Sequence, residues 1–174
     1  MAVEEFAKVS ESVDLIAGVE ARGFIFAAAV AKLTGKGFIP IRKSGKLPAA
    51  SFSQSYALEY GESTLQIHQD AIQSGERVML LDDVLATGGT LGAAAKLVSR
   101  CGGIVDSVAV LMEITGLGGA QRFSETNPNL AIKVLLNYSF QQFVLLLSVR
   151  RSKPWELRLQ VVCPNQQRQH SQNL

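Results

Sequence analysis

Two adjacent acidic residues, followed by a loop of small and hydroxyl-bearing residues, form the part of this sequence best suited to chemistry. Asp82 and Asp83 end an apolar run that begins at Val78. The loop that follows consists of Ala86, Thr87, Gly88, Gly89 and Thr90. Residues 91–98 then place apolar side chains at helical spacing. The segment is therefore predicted to be a buried strand, a loop and a helix.

Such a loop is suited to binding a phosphate group. The first backbone N–H groups of a helix have no partner within the helix, and an anion is favoured there. Glycines let the backbone approach the anion closely, and Thr87 and Thr90 add hydroxyl donors. Asp82 and Asp83 would repel a phosphate, so they need a polyol or a metal ion beside it. A phosphorylated sugar supplies both phosphate and hydroxyl groups.

Residues 78–90 resemble the phosphoribosyl diphosphate (PRPP) binding motif of the phosphoribosyltransferases. Three further segments resemble adenine phosphoribosyltransferases, in the order and at about the spacing of that family: GVEARGF at 18–24, RKSGKLP at 42–48 and YALEYG at 56–61. The resemblance extends roughly from Asp14 to Leu136. It implies an enzyme that transfers the 5-phosphoribosyl group from PRPP to adenine, giving AMP and pyrophosphate in purine salvage.

The resemblance also implies roles for the residues that hold the sugar phosphate and move the proton. Residues 86–90 would bind the 5′-phosphate, and Asp82 and Asp83 would hold the ribose hydroxyls. Glu59 would be the general acid or base that handles the proton on the purine ring. Tyr60 would steady the same loop or the sugar.

The remaining assignments concern the leaving group and the base. The residues expected at the pyrophosphate are Glu20, Ala21, Arg22 and Lys46. Val84 and Leu85 are expected to form an apolar floor under the base, although packing would explain them equally well. Mg²⁺ would enter with PRPP rather than in a protein cage, since this ion prefers substrate phosphates and waters.

The alternation of strands and helices predicts an α/β fold with a doubly wound, mostly parallel sheet and helices on both faces. Ligands of such sheets lie beyond the carboxyl ends of the strands, where the proposed loops also lie. Residues 45–63 are expected to be a long polar excursion, either a lid or disordered. Residues 116–119, GLGG, are expected to be a flexible turn that no helix start follows.

The extent of the resemblance along the chain predicts a division into two regions. Residues 1–138 would form the phosphoribosyltransferase domain, without the N-terminal hood that encloses the base in relatives. Residues 139–174 would form an atypical C-terminal extension, partly disordered. This extension holds seven glutamines and five basic residues against one acidic residue. Its basic and aromatic residues are not interleaved, so a nucleic-acid-binding tail is not favoured.

Composition places the chain among globular proteins. Of its 174 residues, 47% are hydrophobic and 18% are charged, which argues against disorder overall. No signal peptide is evident, and the apolar run 143–149 is too short to span a bilayer. A cytoplasmic enzyme without membrane association is therefore expected.

A homodimer is expected because relatives are commonly dimers and residues 24–33 form an apolar, alanine-rich helix.

Other functions stay open at this point. The chain could be a PRPP-binding relative that regulates without catalysis, although no helix-turn-helix pattern precedes residue 14. It could be a phosphoribosyltransferase for another base, such as xanthine or orotate. It could also be a shortened relative that binds PRPP but has lost base binding.

Overall fold

The computed structural model of the protein describes residues 2–57 and 61–142. The strands are β1 (Leu15–Val19), β2 (Gly37–Lys43), β3 (Ser51–Ala57), β4 (Glu62–His68), β5 (Arg77–Leu85), β6 (Ile104–Thr115) and β7 (Ile132–Ser139). The helices are α1 (Ala2–Val9), α2 (Gly23–Thr34), α3 (Gly89–Arg100) and α4 (Gly119–Thr126). Within the described residues, none of the helices has the length and apolar character needed to span a membrane.

One sheet of seven strands, in the order β3-β4-β2-β1-β5-β6-β7, organises these elements. The strands β2, β1, β5, β6 and β7 run parallel to one another. The strand β4 is antiparallel to β2, and β3 is antiparallel to β4. The mostly parallel sheet predicted from the sequence is therefore confirmed, with an antiparallel hairpin added at one edge.

The strand β5 connects the two layers of helices. Successive side chains of a strand point to opposite faces, and residues 78–81 are all fully buried. Val78 and Leu80 pack in the core that contains α3 and Phe123 of α4. Met79 and Leu81 pack in a second core with residues of α1 and α2. Both faces of β5 are thus covered, which explains its continuous apolar run.

The expectation for residues 45–63 is wrong in part, because residues 51–57 form β3. Its register with β4 runs from Ser51↔His68 to Ala57↔Glu62. Phe52 and Tyr56 lie on the same face of β3 and pack against the larger core. Between them lie serines, and the Ser55 hydroxyl is 2.9 Å from that of Thr64 on β4. The polar composition that suggested a loop therefore comes from one face of a hairpin.

The expectation that no helix follows residues 116–119 is also wrong, because α4 begins at Gly119. Its N-cap is Gly118, and α4 has no side-chain capping hydrogen bond. The usual signal for a helix start, a Ser, Thr, Asp or Asn at this position, is absent from the sequence. Burial of Phe123 against the sheet, with 1% of its surface exposed, holds the short helix in place.

Replacing Phe123 by alanine tests how α4 is held. We expect Phe123→Ala to lower the free energy of unfolding by about 3–5 kcal/mol, because it leaves a cavity in the core. The measurement is urea unfolding followed by circular dichroism. Phe140→Ala is the matched control, since Phe140 is 53% exposed. A loss of less than about 1 kcal/mol for Phe123→Ala would contradict the packing of α4 described above.

Candidate active site

The carboxyl ends of β1 and β5 bring two predicted sets of residues together. The last residue of β5 that pairs with β1 is Leu81, opposite Gly18. Asp82 and Asp83 therefore lie just beyond the paired part of β1. The loop between β1 and α2, with Glu20, Ala21 and Arg22, begins at the same edge. The predicted ribose and pyrophosphate residues thus share one end of the sheet.

Asp82 is nearly enclosed, with 6% of its surface exposed. Gly23, the first residue of α2, packs on it so closely that a Cβ there would lie 3.1 Å from Asp82 Oδ1. Burial, together with the neighbouring charge of Asp83, raises the pKa of Asp82 to about 8. The backbone N–H of Asp83, which donates to Asp82 Oδ1 at 2.8 Å, opposes that rise. Burial therefore favours the protonated form of the Asp82 carboxyl.

Asp83 is the partly accessible member of the acidic pair, and it has a cationic partner. Its carboxylate forms an ion pair with Nε of Arg22. The Asp83 side chain is 16% exposed, whereas the Arg22 side chain is 73% exposed. This contact joins a residue predicted to bind ribose to one predicted to bind pyrophosphate. The Arg22 guanidinium remains open to solvent on the side away from Asp83.

Glu20 binds several donors of the basic turn, residues 42–48, at the end of β2. Its carboxylate accepts hydrogen bonds from Nζ of Lys46, from the backbone N–H of Lys43 at 3.0 Å and from Nε of Arg42 at 3.3 Å. Burial raises the pKa of Glu20, but these donors outweigh it and hold the pKa below its usual value. Arg42 also donates to the Lys46 carbonyl at 2.9 Å. Glu20 therefore orients cations rather than facing an anion itself.

The predicted phosphate loop lies between the end of β5 and the start of α3. Gly88 is the N-cap of α3, in the left-handed conformation with φ of 82°, and α3 has no side-chain capping hydrogen bond. The first intrahelical bond runs from the N–H of Gly92 to the carbonyl of Gly88 at 3.0 Å. The earlier N–H groups of the helix are therefore available to an anion. Residues 86–90 are partly exposed.

The hairpin of β3 and β4 reaches the start of α3. A Cβ placed on Gly89 would lie 3.3 Å from the Ala57 carbonyl oxygen and 3.3 Å from the Tyr56 ring. Glu59 and Tyr60, the predicted catalytic and loop residues, lie outside the described residues, so their roles stay predictions. The strand that leads to them nevertheless lies next to Gly89 of the phosphate loop.

The two residues predicted to lie under the base differ in their surroundings. Leu85 is 1% exposed and belongs to the larger core, so its side chain has a packing role. Val84 is partly exposed and lies at the end of β5 next to Asp83. Val84 is therefore the better candidate for contact with a base.

Two arginines at the site received no role from the sequence. Arg42 belongs to the basic turn 42–48, so the motif itself could have drawn attention to it. Arg122 gave no such signal, because it is a single arginine in a helix that the sequence did not predict. Its Nε donates to the carbonyl of Thr87 in the phosphate loop at 3.0 Å.

Stability should report the protonation of Asp82. In the unfolded chain its proton leaves near pH 4, whereas in the folded chain it stays until about pH 8. Between these values the folded state binds more protons, so this group's contribution falls as the pH rises, by roughly 1 kcal/mol per pH unit. We expect Asp82→Asn to remove this loss and to be more stable than the parent at pH 8. Urea unfolding at pH 5 and pH 8 measures it, and an equal pH dependence in both proteins would contradict the burial of a protonated carboxyl.

Comparison with known proteins agrees with this geometry. The adenine phosphoribosyltransferase of Salinispora tropica is 54% identical over 114 residues, which are 66% of this chain and 61% of that protein. A crystal structure of the enzyme of that name from Thermoanaerobacter pseudethanolicus superimposes with a TM-score of 0.72 at 48% identity, covering 79% of this chain and 78% of the other.

A third similar protein has been solved with ligands bound. The adenine phosphoribosyl transferase of Trypanosoma brucei, in complex with AMP, pyrophosphate and ribose-5-phosphate, superimposes with a TM-score of 0.71 at 28% identity, covering 78% of this chain and 62% of the other. The chain spans 61% of the length of the Salinispora tropica protein, somewhat less than two thirds. The family model of the phosphoribosyl transferase domain matches residues 1–140, and the chain belongs to that family.

Proposed function

We propose that this chain transfers the 5-phosphoribosyl group from PRPP to adenine, forming AMP and releasing pyrophosphate. The observation that carries this proposal is the meeting of three features at one end of the sheet. These are the Asp82–Asp83 pair, the cation Arg22 and the uncapped start of α3. The substrates are small polar molecules of purine salvage, so we propose that the enzyme acts in the cytoplasm.

Asp82 and Asp83 would hold the ribose in this reaction. Breaking the bond at C1 leaves positive charge on the sugar ring, so the ring must be fixed while the base approaches. A protonated Asp82 can both donate to and accept from a ribose hydroxyl. Asp83 adds a carboxylate that carries its own counter-ion, Arg22. The pair can therefore bind hydroxyls without placing two full negative charges next to the phosphates of PRPP.

Arg22 and Lys46 would stabilise the leaving pyrophosphate. Both are held by carboxylates, Arg22 by Asp83 and Lys46 by Glu20. Both side chains are also substantially exposed, at 73% and 46%, so they can turn toward a bound anion. Donors that face a developing negative charge are often the largest single contribution to catalysis. Glu20 would serve by keeping the basic turn beside the loop that contains Arg22.

Glu59 would exchange the proton of the purine ring. Tyr56 and Ala57, which precede it closely in the chain, lie next to Gly89 of the phosphate loop. A carboxylate carried by this segment is therefore tethered near the 5′-phosphate of the sugar that reacts. Tyr60 would steady the segment or the sugar, and Val84 would lie under the base.

We propose that Mg²⁺ enters as a complex with PRPP. Among residues 2–57 and 61–142 no group of three or more His, Cys, Asp or Glu side chains could hold a metal ion. An ion coordinated mainly by substrate oxygens and water fits such a site. Asp83 is the partly exposed carboxylate that could contact its hydration shell. When bound, the ion would neutralise charge on the pyrophosphate.

We also propose that the active form is a homodimer joined through α2. The exposed side of this helix carries Ile25 at 69% exposure and Leu33 at 58%, with Phe38 of β2 at 38%. Ala28 is exposed between them, and a small residue allows close approach of a second helix. Apolar side chains of this size on a regular surface favour a protein contact. A second copy of the chain offers the same surface by two-fold symmetry.

The assay that tests the proposed function measures AMP formed from PRPP and adenine, beside hypoxanthine, guanine and orotate. We expect product with adenine alone. Glu59→Gln should lower kcat by about 100-fold or more, because the amide keeps the shape but cannot exchange the proton. Its affinity for PRPP should stay within about twofold of the parent, as expected for a group used in the transition state.

Two results would count against these roles. Product with orotate or hypoxanthine but not with adenine would reject the choice of base. A parent chain that forms AMP together with a Glu59→Gln variant that keeps most of that rate would reject Glu59 as the acid or base. Glu62→Gln is the matched control, since Glu62 lies in β4 close to the same segment.

Ile25→Lys should separate the proposed dimer. A charge at the centre of an apolar helix contact cannot be solvated there, so association should weaken strongly. Light scattering at several protein concentrations measures the mass. Ile104→Lys is the control, because Ile104 is also largely exposed, at 55%, but lies at the start of β6. A parent chain that is monomeric throughout, or an Ile25→Lys variant that stays dimeric, would contradict the interface.

A further inference from the structure

We propose that Arg122 is a positioning residue for the 5′-phosphate loop and that α4 is the support on which this loop rests. The inference builds on the proposed function, because it assigns the residues that give the phosphate site its shape. Arg122 would not contact the phosphate itself. It would act through the peptide group between Thr87 and Gly88.

The Arg122 side chain links the phosphate loop to the turn that precedes α4. Its Nε donates to the carbonyl oxygen of Thr87 at 3.0 Å, and its Nη2 donates to the carbonyl oxygen of Leu117. A guanidinium presents its N–H groups in a rigid planar fork. One side chain therefore fixes two carbonyl groups, one from each loop, relative to each other.

The direction of the Thr87 carbonyl determines the direction of an amide. Among the described residues the Glu20–Ala21 bond is the one cis peptide, so the Thr87–Gly88 bond is trans. In a trans peptide the C=O and the following N–H point in opposite directions. Arg122 holds the Thr87 carbonyl on the side of α4, and the N–H of Gly88 consequently points away from α4. It is thereby available for an anion at the start of α3.

Close backbone packing between the phosphate loop and the start of α4 is a second link, independent of Arg122. A Cβ on Gly88 would lie 2.6 Å from the carbonyl oxygen of Gly119, and a Cβ on Gly119 would lie 2.3 Å from that of Ala86. Side chains at either position would push the two segments apart. Phe123, buried in the core on the same short helix, fixes α4 to the sheet. The loop therefore rests on a support that is itself held rigidly.

The charge of Arg122 strengthens the same arrangement. Its guanidinium is bonded to the peptide group whose N–H faces the proposed anion, so the hydrogen bond polarises that peptide. The N–H of Gly88 becomes a better donor as a result. Gln121, the neighbour on α4, bonds to Glu125 on the same helix at 3.1 Å. It therefore offers a control position that shares the helix without this bond to the loop.

The test compares two anions that use different parts of the site. Ribose 5-phosphate and pyrophosphate are titrated separately into the parent chain, Arg122→Met, Arg122→Lys and Gln121→Met, followed by amide NMR shifts. We expect Arg122→Met to weaken ribose 5-phosphate about tenfold or more, the usual effect of losing a hydrogen bond from a charged group. Its pyrophosphate affinity should stay within about twofold, because that ion would bind at Arg22. Arg122→Lys should recover part of the loss, and Gln121→Met should match the parent.

Each outcome decides the inference. Unchanged ribose 5-phosphate affinity in Arg122→Met would overturn it, and so would an equal loss for both anions, which would indicate a general effect on the fold. A parent chain that does not bind ribose 5-phosphate at all would also overturn it. Failure of the proposed function is distinguishable, since a chain that forms no AMP but shows the selective loss in Arg122→Met would retain this positioning role.

Discussion

A carboxyl group buried at the end of β5 is the constraint around which the rest of this site is arranged. Asp82 is enclosed by the start of α2 and receives the N–H of Asp83. Desolvation disfavours the charged form of Asp82 there, and Arg22 pairs with the neighbouring Asp83 carboxylate. In the proposed reaction the ribose, an uncharged polar group, would lie against this pair and separate it from the phosphates of PRPP.

The cations at the site are held by neighbouring carboxylates. Arg22 lies against Asp83, and Lys46 and Arg42 lie against Glu20. An incoming pyrophosphate would exchange one anionic partner for another, and it would not have to order free, flexible side chains. In the proposed reaction, Glu20 would orient the cations and the Asp82–Asp83 pair would bind the ribose.

Much of the fold and the centre of the site could be predicted from the sequence, since β5, its acidic pair and the loop 86–90 lie in one continuous segment. That the loop with Arg22 lies at the same end of the sheet as the acidic pair followed from strand topology, whereas the ion pair between Arg22 and Asp83 was not predicted. The strand β3 and the helix α4 could not be predicted, because β3 has serines on one face and α4 lacks a capping side chain. Their stability comes from Phe52, Tyr56 and Phe123 packing on distant residues, which a local pattern does not show.

The two unpredicted elements, β3 and α4, both pack beside the phosphate loop. They lie next to different residues of it. The segment α4 contacts residues 86–88, and β3 contacts Gly89. The hairpin is itself fixed to α3, where Arg100 donates to the Ser53 carbonyl at 2.6 Å and lies 4.8 Å from the Phe52 ring centroid. A shift in the position of the phosphate loop would therefore displace β3, the strand that precedes Glu59 in the sequence. The proposed anion site and the strand that precedes Glu59 in the sequence are thus close neighbours.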